Sequence, residues 1–121
     1  MKKVSEMMVA VGGDLLSQVD SLEEMQAHLD LVRDAWNMSL YSENKRKVKL
    51  KRFIESQKPY APNQEALLGL EWEYKRIIQQ RLKKFPLVKN KIIAAEGIEV
   101  AKDDYIIRAY FAGEHEEIEL N

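Results

Sequence analysis

Apolar residues recur along this chain first with the period of helices and then, beyond residue 90, with the texture of strands. Val4, Met7, Met8, Val11 and Leu15 share one face of a helix predicted over 4–19. Gly12-Gly13 interrupts that helix, each glycine costing about 1 kcal/mol against alanine, and Asp14 offers an N-cap for a restart. Ser21 and Glu24 form an S-x-x-E capping box. Leu22, Met25, Leu29, Val32, Trp36 and Leu40 follow as one stripe, with Ala27, Leu31 and Met38 near the opposite side. A helix with two apolar faces is expected at the centre of a small bundle.

Residues 42–58 carry a mixed signal. "KVKLK" alternates like a strand, but the length of the segment favours a helix with Leu50, Phe53, Ile54 and Gln57 on one face and Val48 pointing away. The prolines of "KPYAPN" stop it, and Asn63 caps a helix over 64–85. Its stripe is Leu67, Leu70, Tyr74, Ile77, Ile78, Leu82 and Phe85, and Pro86 ends it; Leu68 and Trp72 fall off that stripe. "KIIAAEGIEV" and "YIIRAYF" then flank the polar turn "AKDD", which predicts an antiparallel hairpin over 91–112. Ile98 and Val100 are expected to face the core beside Tyr105 and Ile107, with Gly97 as a bulge. An acidic tail, 113–121, closes the chain, with Ile118 and Leu120 as its apolar anchors.

The predicted fold class is therefore α+β: three or four helices packed with a C-terminal antiparallel β-hairpin. One domain spans 1–121, with its helical part at 4–85. A lone two-stranded ribbon is marginal in water, so it must lie on the helices, gain a third strand or pair with a second copy.

A chain of 121 residues that is 45% hydrophobic can bury one core without a metal or disulfide. It has no cysteine, which excludes a disulfide framework and a thiolate site. Near the start, Glu6 and Asp14 break the apolar run of "MKKVSEMMVAVGGDLL", so no secretion signal is read there. Nor does any stretch reach the ~20 apolar residues of a membrane span, and a cytoplasmic location without membrane contact is expected.

Charge changes the picture more. Residues 1–43 hold three basic and eight acidic groups (−5), 44–95 fourteen and four (+10), and 96–121 two and eight (−6). "NKRKVKLKR" supplies Lys45, Arg46, Lys47, Lys49, Lys51 and Arg52 without an acid. Residues 75–91 add seven cations, among them Arg81, Lys83 and Lys84, again without an acid after position 75. On antiparallel helices the two sets can share a surface able to meet phosphates, with Trp36, Tyr41 and Tyr60 as candidate stackers. Against that reading stand the slightly acidic net charge and cations that project in many directions from residues 44–52.

Catalytic chemistry finds little footing. "GGD" lacks the lysine and spacing of a phosphate loop, and no nucleophile elbow, HExxH or EF-hand loop occurs. Glu24 and His28 stand four apart on one helix but lack further ligands, so no metal and no cofactor are expected; His115 lies in the acidic tail. The function expected is a non-catalytic protein-binding or regulatory domain, homodimeric through either the face containing Leu68 and Trp72 or the unpaired edge of the hairpin. The alternative is an accessory nucleic-acid-binding protein using 44–52 and 75–91, with a carboxylate enzyme third.

Overall fold

A computed structural model describes residues 3–102 and 104–112. Five helices precede a two-stranded antiparallel sheet, the α+β arrangement expected. The helices are α1 (Val4–Gly12), α2 (Asp14–Ser17), α3 (Leu22–Ser39), α4 (Glu43–Gln57) and α5 (Gln64–Lys84); the strands are β1 (Ile92–Ala101) and β2 (Asp104–Phe111). Asp103, His115 and the acidic tail with Ile118 and Leu120 lie outside the described residues.

The helix boundaries follow local chemistry. Gly13 adopts φ 56°, a backbone conformation that a side chain would strain, and there the first helix breaks. Gly13 itself, not Asp14, is the N-cap of α2, and Asp14 is its first residue. Ser21 Oγ accepts the Glu24 amide at 3.1 Å, as the capping box requires, while the Glu24 carboxylate accepts the Asp20 amide at 3.4 Å. Asn63 Oδ1 caps α5 by accepting the Ala66 amide at 2.9 Å. Residues 43–57 are helical, so the alternation of "KVKLK" carries no strand; Leu50 is buried and Val48 exposed.

α3 is the central element, packed chiefly against β1 and α5 and also touching α1, α2 and α4. Met25, Leu29, Val32 and Trp36 are buried along it, while Leu22 at its start stays exposed. Trp36 lies at the heart of the core: its ring meets Phe85 at 6.0 Å and Phe111 at 5.9 Å, and its Nε1–H donates to the Asn90 carbonyl at 2.9 Å.

The hairpin pairs Ile98 with Ile106, Gly97 with Ile107 and Ala95 with Ala109. Residues directly opposite share a face of the sheet. The core face of β1 is therefore built from Ile92, Ala95 and Gly97, whereas Ile98 belongs with exposed Ile106 and Val100 is itself exposed. This corrects the expectation that Ile98 and Val100 face inward; Tyr105 and Ile107 do pack against the core. The cause is close approach of α3: a Cβ on Gly97 would stand 2.6 Å from Met25 Cγ. Gly97 is thus a contact point rather than a bulge, and the register shifts fall between Ile92 and Ala94 and between Glu99 and Ala101.

Candidate functional site: the outer faces of α5 and α4

At ~100° per residue, the buried side of α5 holds Leu67, Tyr74, Ile77, Ile78 and Arg81. The opposite side carries Leu68, 58% exposed, and Trp72, 62% exposed, one turn apart. Trp72 is oriented by Arg76, whose guanidinium carbon lies 5.9 Å from the ring centroid. Arg76 is itself held: it pairs with Glu73 at 2.8 Å and donates to the carbonyls of Val11 at 3.3 Å and Gly12 at 2.9 Å. Those carbonyls belong to the last turn of α1, where a cation also complements the helix dipole. Between Leu68 and Trp72 in sequence comes Gly69, where a Cβ would meet nothing within 4 Å among the described residues. A mid-helix glycine with no close neighbour leaves a flat spot beside an aromatic ring. The exposed face thus combines two apolar anchors, a fixed cation and bare backbone.

The basic segments divide into two kinds of residue. Arg81 is only 4% exposed and occupies the centre of the buried face of α5, while neighbouring Leu82 is 37% exposed. Its Nε–H donates to Ser39 Oγ at 2.7 Å, Nη2 to the Ser39 carbonyl at 2.8 Å and Nη1 to the Val88 carbonyl at 3.1 Å. Burial, with Arg46 adding to it, pushes the guanidinium below its ordinary pKa, but such a group stays charged in a protein. Arg81 therefore ties α3 and α5 to the 85–88 turn and takes no part in an exposed basic surface, contrary to the sequence expectation. A buried arginine at the middle of an apolar stripe was the signal available: positions 74, 77, 78 and 81 share that face. Lys84 Nζ donates to the Ala10 carbonyl at 3.0 Å, and Lys83 is exposed.

α4 behaves differently. Arg46 is turned inward enough for its Nη1 to donate to the Tyr41 carbonyl at 2.9 Å. Lys45, Lys47, Lys49, Lys51 and Arg52 are exposed; at ~100° per residue Lys45, Lys49 and Arg52 fall on one flank of the helix and Lys47 and Lys51 on the other. Lys45, Val48, Lys49 and Arg52 line one groove with Tyr41, and Lys49 Nζ lies 4.4 Å from the Tyr41 ring centroid. Among the described residues, Lys47 with Glu43 at 3.4 Å is the one ion pair these five cations make. Of the expected stackers, Trp36 is buried and Tyr41 half-buried, whereas Tyr60 is exposed.

The histidine–glutamate pair is engaged elsewhere. His28 Nδ1 lies 2.6 Å from the Leu15 carbonyl, the tautomer with Nδ1–H donating, and Glu24 holds the amide of Asp20. Among the described residues no helix is long and apolar enough to cross a membrane. Comparison with protein-family models, with curated proteins and with solved structures finds no match.

Proposed function

We propose that this chain is a non-catalytic, cytoplasmic protein-binding domain that works as a homodimer through the outer face of α5. The observation that carries this reading is the pairing of exposed Leu68 and Trp72 around Gly69. Tryptophan and arginine are typical anchors of protein interfaces, and an apolar ring left in water favours being covered. Gly69 gives a bulky side chain of a second copy room to approach the helix backbone. The two tryptophans supply a direct readout, since Trp36 is buried and Trp72 is not. Concentrating the protein through the micromolar range should shift the Trp72 emission to shorter wavelength and protect it from acrylamide. Trp72→Phe should remove that change. Emission that stays fully quenchable at all concentrations would refute the interface.

One specific observation favours a second reading, contact with nucleic acid. Three exposed cations of α4, Lys45, Lys49 and Arg52, line one groove beside Tyr41, and among the described residues none of the three makes an ion pair. Phosphates would be met by Lys45, Lys49 and Arg52 in particular.

A further inference from the structure

A cleft of about 470 Å³ opens between α3, α4 and the start of β1, away from the Leu68–Trp72 face. That volume lies within the range of small-ligand sites, roughly 300–1,000 Å³. Aromatic residues line it: Phe53 and Tyr74 face each other at 4.8 Å between centroids, and Tyr41 stands nearby. Three cations, Arg33, Lys49 and Lys91, contribute to the lining against one carboxylate, Asp34. Arg33 is partly engaged, 3.8 Å from Asp30 and 3.5 Å from Asp34. Among the described residues Lys49 and Lys91 have no ion pair.

The wall is also held in place. Asn37 donates through Nδ2 to the Ile92 carbonyl at 2.8 Å and accepts the Ile92 amide through Oδ1 at 2.8 Å. Together with the Trp36–Asn90 bond, this fixes the backbone that carries Lys91 to the face of α3. A preorganised wall lowers the ordering cost of taking up a ligand.

We infer that this cleft binds a small planar aromatic anion, its ring against Tyr41 and Phe53, behind which Tyr74 is buried, and its charge between Lys49 and Lys91. Arg33 adds positive potential, while Asp34 opposes the ligand. Burial raises the Tyr74 pKa well above its ordinary value, with Asp34 adding to the shift and Arg33 opposing it, so the buried Tyr74 hydroxyl stays neutral. Burial also raises Asp34, against the pull of Arg33.

The test uses the aromatic sulfonate 1-anilinonaphthalene-8-sulfonate as the probe, titrated into the full chain and followed by fluorescence. Its neutral analogue N-phenyl-1-naphthylamine serves as the comparison. One saturable site is expected, with the anion preferred over the neutral analogue. Lys49→Gln and Lys91→Gln should each weaken the anion roughly tenfold, as the loss of one charge-assisted contact does. Asp34→Asn should tighten it, an effect that partial unfolding cannot imitate at one saturable site. Trp72→Ala should leave it unchanged. Equal binding of the neutral analogue, indifference to all three cleft variants, or loss on Trp72→Ala would overturn the assignment.

Discussion

Arg81 is where a single residue most clearly departs from what its type suggests. Among the described residues it has no carboxylate partner and is satisfied instead by Ser39 and the carbonyls of Ser39, Val88 and Phe85. Arg81→Met keeps the apolar packing but leaves these buried acceptors unmatched, and urea denaturation should show a loss of about 3 kcal/mol. Arg81→Lys should recover only part of it, because one ammonium cannot span the positions a planar fork reaches. Gly69 offers the opposite sign. Among the described residues an alanine methyl there would meet nothing within 4 Å, so Gly69→Ala should stabilise a single chain by up to about 1 kcal/mol. If a second copy seats on this face, the same methyl group would fill the flat spot, so Gly69→Ala should then weaken the dimer while stabilising the fold. Asp34 carries a pH dependence. Its folded pKa is raised above 3.8 by burial, with Arg33 lowering and Asp30 raising it. The native state therefore binds the proton more tightly, and this group's contribution to stability falls as pH rises from 3.8 through the raised value. Asp34→Asn should flatten that fall, measured as unfolding midpoints across pH 3–7.

At the level of elements, β1 shows how a two-stranded ribbon is managed. Side chains of α3 take up its outward backbone groups: Gln26 bonds the Ala95 carbonyl at 2.9 Å and the Gly97 amide at 3.2 Å, and Asn37 bonds both polar groups of Ile92. Two amide side chains thus do for this edge what a third strand would do. Native-state hydrogen exchange should find the Ile92 and Gly97 amides protected despite their place at a sheet edge. Asn37→Asp sets a carboxylate against the Ile92 carbonyl and should cost about 2 kcal/mol. Helix and hairpin existence was legible because the apolar period changes cleanly and because Ser21, Asn63 and the prolines mark boundaries. The inward face of β1 was not legible. Alternation counted from Ile98 and Val100 favours bulk, whereas a helix packed close to a strand selects Ala95 and Gly97. Leu82 misled in the same way, since its apolar side chain hid the buried place taken by Arg81 one position earlier.

For the whole molecule, the distribution of charge matters more than its sum. Among the described residues no ion pair joins the basic middle to an acidic segment, apart from Lys47 with adjacent Glu43. The exposed cations of α4 remain available, so the nucleic-acid reading has a sharp test. Neutralising about five phosphates, one for each exposed cation of α4, gives a slope of about −4.5 in log affinity against log salt on duplex DNA, at roughly −0.9 per contact. Lys45→Glu with Arg52→Glu should flatten that slope, and undetectable binding at low salt would remove the reading. The aromatic cleft was invisible in the sequence, because its lining comes from four elements spread over residues 33–93. Leu68 and Trp72, by contrast, were legible as a departure from the stripe of α5, and the structure leaves both exposed. If a second copy covers them, exposed ion pairs between copies should orient the contact more than stabilise it, being worth ~0–1 kcal/mol each. Sedimentation equilibrium of the full chain, beside Trp72→Ala, tests this most directly. A dimer at micromolar concentration is expected, weakened only modestly by 0.5 M salt and dissociated by the substitution; a monomer at every concentration, or a dimer indifferent to Trp72→Ala, would contradict it.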